Sequence, residues 1–136
     1  MKYLLDVSAL LAFGIAEHEF HDRVVNWTRD LSASGILELA TCSITEIGFV
    51  RIFAQTRQYG FTVPEARELL LQIKAKHASV FTFIADDHDI SRLPGWVKGP
   101  KQVTDGHLVQ LAKVNEAVLA TLDRGIPGAF LIPGTT

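Results

Sequence analysis

Four carboxylates in this sequence stand where the chain changes character: Asp6, Glu46, Asp105 and Asp123. Asp6 follows the apolar Tyr3-Leu4-Leu5, and Glu46 comes shortly after the apolar stretch 36–40. Asp105 opens an amphipathic stretch behind Thr104, and Asp123 closes residues 117–122. If the apolar runs are parallel strands, all four acids gather at one rim. Carboxylates crowded together repel, and burial makes their ionisation costlier, so such a cluster needs a cation. Ligands that are all oxygen favour a hard ion, Mg²⁺ or Mn²⁺, over zinc or copper. Mg²⁺ bound through one or two carboxylates keeps waters and leaves positions for phosphate oxygens, which points to hydrolysis of a phosphodiester. One ion would activate the attacking water, and the same or a second ion would steady the leaving oxygen. Asp6 and Asp105 are the expected direct ligands. Asp123 and Glu46 bind directly or through water, with either orienting the attacking water. Taken singly, an Asp after a strand is more often a helix cap or turn former, and Asp105 would suit a helix dipole. Recurrence at corresponding strand ends is what raises the metal reading above that.

The elements that must hold these acids alternate between strand and helix. Tyr3-Leu4-Leu5 reads as a short buried strand, and residues 7–16 as a helix with Ser8 available as its cap. A second helix is expected over residues 21–31, stopped by Ser32-Ala33-Ser34-Gly35. Residues 36–40 form the next strand, and Thr41-Cys42-Ser43 leads into a helix through Glu46, Phe49, Val50 and Phe53, ended by Tyr59-Gly60. Thr62-Val63-Pro64-Glu65 has the form of a capping box and opens a helix to about His77. Residues 80–84 are continuously apolar or β-branched, as in a strand covered on both faces. Pro94-Gly95 and Gly99-Pro100 make most of 86–101 a loop with one helical turn. Thr104 is expected to cap a helix from Asp105 to about Asn115. Strand 117–122 follows, then a short strand near 129–132 and a frayed tail, residues 133–136. The alternation implies an α/β fold, a central parallel sheet flanked by helices on both faces, with its site beyond the carboxyl ends of the strands.

With 136 residues and 48% hydrophobic content, residues 1–136 suit a single domain with a sizeable core. A net charge of -2 gives no global pull toward nucleic acid, so any RNA affinity must come from local patches. The one cysteine, Cys42, excludes an intrachain disulfide and is read as a small core residue in a reducing compartment. Asp6 interrupts the apolar start and Glu17-His18-Glu19 closes it without a clear cleavage site, which argues against a signal peptide. Nor is any uninterrupted apolar stretch long enough to span a bilayer, so no membrane association and a cytoplasmic location are expected.

Other candidates carry less. The Asp86-Asp87-His88-Asp89 cluster reads as a solvated loop, although Asp86 or Asp87 lies near enough to a strand end to reach the rim. His18, His21, His77 and His107 lack paired ligand spacing, and His107, one turn from the rim, is the one to test. Ser8 and Thr104 are helix caps first, with hydroxyls able to serve a carboxylate or a metal's water as an outer shell. Arg51, Arg57, Arg92, Lys98 and Lys101 are possible phosphate contacts and Trp96 a stacking group, against the commoner reading of solvated surface. Trp27 and the phenylalanines are read as core or interface.

Four blocks, in order, resemble those of VapC-type PIN-domain toxins. They are Leu4-Leu5-Asp6-Val7-Ser8-Ala9-Leu10-Leu11-Ala12, Thr41-Cys42-Ser43-Ile44-Thr45-Glu46-Ile47-Gly48-Phe49-Val50-Arg51, Lys101-Gln102-Val103-Thr104-Asp105-Gly106-His107-Leu108 and Leu119-Ala120-Thr121-Leu122-Asp123-Arg124. The resemblance spans nearly the whole chain. It implies a PIN-like fold, Mg²⁺- or Mn²⁺-dependent endoribonuclease activity on structured RNA such as tRNA or rRNA, a VapB-type antitoxin partner and a homodimer. Asp6, Glu46, Asp105 and Asp123 fall on the family's acidic positions. Members vary in carrying a further acid near the last one, where this chain has Arg124-Gly125. Two other functions fit the same residues. Asp6 could be the nucleophile of a phospho-aspartate phosphotransferase or hydrolase, but such enzymes usually place a second acid where Ser8 stands. A catalytically inactive PIN-like module that only binds a protein partner would have no need of four intact acids.

Overall fold

The computed structural model describes residues 1–134; the expectation of a frayed tail at Thr135 and Thr136 lies outside the described residues. Five parallel strands, β1 (Lys2–Leu5), β2 (Glu38–Cys42), β3 (Phe81–Ile84), β4 (Ala117–Thr121) and β5 (Phe130–Leu131), form one sheet in the order β3-β2-β1-β4-β5. Between them run α1 (Val7–Gly14), α2 (His21–Ser34), α3 (Ser43–Gln55), α4 (Val63–Lys76) and α5 (Val103–Val114). This is the α/β architecture that the alternation of elements implied, and it agrees with the PIN-like fold that the resemblance implied. After β1 the chain moves outward through β2 to β3, then returns to the other side of β1 for β4. The strand order therefore reverses between β1 and β4, and a crevice opens there beyond their carboxyl ends.

Alternate residues of each strand feed two cores. On one face Leu5, Leu39 and Ala120 pack with Leu10, Trp27, Phe49, Phe53 and Leu70 from α1 to α4. On the other, Leu4, Ala40, Cys42 and Leu119 pack against Leu108, Leu111 and Ala112 of α5. Trp27 is buried as expected, stacked on Phe130 at 5.6 Å and edge-on to Tyr3 at 4.9 Å, which fastens α2 to β1 and β5. Cys42 is a free, fully buried core thiol. Among the described residues no helix is long and apolar enough to cross a membrane.

Several local expectations need correction. The cap of α1 is Asp6, whose carboxylate accepts the Ala9 N–H at 2.8 Å, while Ser8 is exposed within the first turn. A carboxylate fixed at the strand's end reaches the orphan N–H groups before a residue already inside the helix can. Likewise α5 starts at Val103, behind the 3₁₀ turn Pro100–Gln102, so Thr104 lies inside the helix and makes no cap. Helix α2 continues through Ser34, and the stop falls at Gly35, its C-cap, rather than at the first serine. Strand β3 is not covered on both faces. It is the sheet edge, and Phe83 is 52% exposed. The loop that follows holds two 3₁₀ turns, Ile90–Arg92 and Pro100–Gln102, rather than one helical turn. By contrast the capping box at Thr62 and Glu65 forms in full, with both reciprocal bonds present.

Candidate active site

Each of the four acids stands where its element delivers it. Asp6 leaves β1 beside β4, where its own N–H donates to the Ala120 carbonyl at 3.1 Å. Its side chain is nearly buried, at 7% exposure. One carboxylate oxygen takes the Ala9 N–H and the other the Thr121 hydroxyl at 2.6 Å. Thr121 is itself buried at the end of β4, and its Oγ1 accepts the Asp123 N–H at 3.0 Å. One threonine thus ties Asp6 and Asp123 together across the strand-order reversal. Asp123 turns the chain after β4 by accepting the Gly125 N–H at 3.0 Å, and Asp105 lies in the first turn of α5, half-buried.

Electrostatics couple these three. Burial pushes the Asp6 carboxyl up from 3.8 to about 6, against the lowering effect of its two hydrogen bonds, and the charges of Asp105 and Asp123 push it further. Burial also raises Asp105, with Asp123 adding to it. Among the described residues no lysine or arginine forms an ion pair with any of the three. Glu46 differs. From the first turn of α3 its Oε2 takes the Thr41 hydroxyl at 2.6 Å and the Lys74 ammonium at 2.5 Å.

Helices α1 and α3, which carry Asp6 at the cap of one and Glu46 in the first turn of the other, approach closely. A Cβ on Gly48 would lie 2.5 Å from Val7 Cγ2, so only glycine lets the two helices meet there. In the arrangement described, no three or more His, Cys, Asp or Glu side chains close up into a ready-made metal cage. The donors nonetheless fit a divalent cation chemically. Burial and neighbouring carboxylates raise the cost of ionising Asp6 and Asp105, and among the described residues no side-chain cation pairs with either.

Thr121, Thr41 and Lys74 are site residues that the sequence did not single out. Thr121, two residues before Asp123 and so on the same strand face as that turn, carried a faint signal. Lys74 carried none, since it arrives from a helix 28 residues further on. The Asp86 loop is also less solvated than expected. Asp86 accepts from or shares a proton with His107 at 2.5 Å, both side chains being 16% exposed, and accepts the His88 N–H at 3.0 Å. Burial would raise Asp86, but these hydrogen bonds outweigh it and hold its carboxyl below the usual range. Ser8 and Thr104 are exposed, as are Arg51, Arg57, Arg92, Lys98 and Lys101.

No family model matches the chain. Curated proteins do. The chain is 34% identical over 130 residues to Ribonuclease VapC38 of Mycobacterium tuberculosis, covering 90% of this chain and 86% of that one. It is 34% identical over 142 residues to Ribonuclease VapC44 of the same organism, covering 100% and 95%. Its identity to Ribonuclease VapC29, also from that organism, is 35% over 141 residues and the full length of both.

Proposed function

The chain belongs to the VapC ribonuclease family, and on that footing we propose that it is a toxin endoribonuclease that hydrolyses structured RNA, tRNA or rRNA, with Mg²⁺ or Mn²⁺ held by Asp6, Asp105, Asp123 and Glu46. One observation carries this reading. Asp6 is buried, pushed up to about 6, and pressed by the Asp105 and Asp123 charges, with no basic side chain among the described residues paired to it. A carboxylate cluster left in that state supports a cation better than it supports stability.

A bound divalent cation supplies charge for the phosphate oxygens and lowers the pKa of the attacking water. The rest is the work of this chain's own side chains. Thr121 and the Ala9 N–H fix the Asp6 carboxylate in one orientation. Because both its oxygens already accept hydrogen bonds, Asp6 suits a fixed ligand better than a nucleophile that must leave its partners to attack. Glu46, held from one side by Thr41 and Lys74, is assigned to orient the attacking water. Asp105 and Asp123 complete the oxygen donors.

The partner we assign is a VapB-type antitoxin, and the surface we assign to it is the apolar groove of about 760 Å³ between α3 and α4. Ile47, Val63 and Leu71 are exposed along it, and Glu46 is among its lining residues, so a segment seated there would contact that one acid of the site. A homodimer in the cytoplasm completes the reading. Sequencing RNA 5′ ends after induced expression of the wild type and of Asp6→Asn tests it. New ends should cluster in tRNA or rRNA for the wild type alone, and identical end profiles for the two would refute it.

A further inference from the structure

RNA is a polyanion, whereas this chain has a net charge of -2 and its aspartates Asp6, Asp105 and Asp123 press on one another. A grip on the RNA backbone therefore needs cations near those acids that are not engaged elsewhere. Lys74 is paired with Glu46, and Arg23 donates to the Ile132 carbonyl at 3.0 Å. The loop between β3 and α5 is different. Its acids, Asp86, Asp87 and Asp89, all lie within residues 86–89, and residues 90–104 hold Arg92, Lys98 and Lys101 with no acid. These three cations are exposed, and among the described residues none forms an ion pair. Asp89 meets part of the Arg92 charge. That leaves two lysines, Lys98 just before the 3₁₀ turn Pro100–Gln102 and Lys101 within it.

This loop is docked on the helix that carries Asp105. Its residues Val97, Pro94 and Trp96 come within contact distance of the space a Cβ on Gly106 would fill, so they press on α5 one residue beyond Asp105. Gln102 Oε1 accepts the N–H groups of both Lys98 and Gly99, at 2.8 and 3.0 Å, which ties the backbone beside the lysines to the residue preceding α5. At the loop's other end Asp86 Oδ2 and His107 Nε2 lie 2.5 Å apart, and Asp86 Oδ1 accepts the His88 N–H at 3.0 Å. The two residues that follow Asp105 thus both hold the loop, and the lysines it bears keep a set place relative to that carboxylate.

We propose that Lys98 and Lys101 form a preorganised grip for the phosphate backbone of the RNA, and that Asp86, through His107, is the positioning residue that holds the grip in place. The inference rests on the ribonuclease reading above and names the surface that receives its substrate. Lysines borne on a fixed turn meet a phosphate at a lower entropic cost than lysines on a loop that must first be ordered. Phosphate contacts set the register of a nucleic acid and read no sequence, so this grip leaves base choice to other surfaces.

Fluorescence anisotropy of the full chain with a fluorescein-labelled RNA hairpin, in chelator so that no strand is cut, tests this. Lys98→Gln/Lys101→Gln should bind on the order of tenfold more weakly at about 0.1 M salt, and the slope of log affinity against log salt should become shallower by about 1.5, as the loss of two phosphate contacts requires. Arg29→Gln/Lys113→Gln removes the same charge from exposed positions on α2 and in the last turn of α5, and should stay within about twofold of wild type. Asp86→Ala separates positioning from bare charge. Deleting a negative charge by itself tightens binding to a polyanion, yet release of the loop should weaken it by about threefold or more. Unchanged affinity in Lys98→Gln/Lys101→Gln overturns the grip, even if those lysines prove to bind the antitoxin, and so does equal weakening by the two double variants. A folded Asp86→Ala that binds as wild type does, or more tightly, overturns its positioning role. A wild-type chain that cuts RNA while the lysine arm fails strikes this inference alone, whereas absence of new 5′ ends on expression strikes the ribonuclease reading itself.

Discussion

Asp6 concentrates the electrostatic cost of the site, because it must be both a helix cap and a member of an acidic group. Raising its carboxyl from 3.8 to about 6 means that the folded chain holds the proton more tightly than the unfolded one. The metal-free fold therefore has its full share of stability from this group below the ordinary value and loses it as pH rises through about 6. The loss is about 3 kcal/mol on that shift. We expect Asp6→Asn, unfolded by urea in the presence of a chelator, to be more stable than wild type at roughly pH 7 and to converge with it toward roughly pH 4. Cleavage should be abolished. Equal stability of the two proteins across that range would show that Asp6 is not held against its charge. Asp6 was legible both as a candidate ligand and, from its place after an apolar run, as a residue that commonly caps a helix. The sequence also offered Ser8 as the cap, and the geometry at the end of β1 gives that role to the carboxylate.

Helix α5 brings Asp105 to the rim, and it does so pressed against the loop that precedes it. A Cβ on Gly106 would lie 2.3 Å from Val97 Cγ2 and 3.5 Å from Pro94 Cδ. Alanine gains about 1 kcal/mol over glycine as a helix former, but β-branched valine has little freedom to yield, and overpacking costs about 1–3 kcal/mol. The clash should win. Gly106→Ala is expected to lower the thermal midpoint and weaken Mn²⁺ uptake by shifting Asp105, and Val97→Ala in the same chain should restore both. A stabilised Gly106→Ala would mean that the loop moves aside freely. What the sequence disclosed about elements follows the range of the forces. The box at Thr62 and Glu65 is a contact between residues three apart, so the sequence carries it whole. The exposure of β3 depends on which strand lies beside it, and a continuous apolar run reads the same at an edge as in the middle.

The apolar groove between α3 and α4 is where the whole molecule meets a partner on our reading. Leu71 is 48% exposed in it. Leu71→Asp should weaken antitoxin binding about tenfold or more, since a carboxylate would be desolvated against apolar surface, and should leave the circular dichroism spectrum unchanged. Retained affinity would move the antitoxin elsewhere. By itself the sequence determined the alternation of strands and helices, the α/β class and the acids worth testing, because apolar periodicity and residue type are local properties. Tertiary structure alone decided that the strand order reverses between β1 and β4, that Thr121 bridges Asp6 to Asp123, and that Lys74 claims Glu46. Those are contacts between residues far apart in the chain, set by packing two cores on a single sheet, and no periodicity along the sequence encodes which distant side chain will fill the space beside a charge.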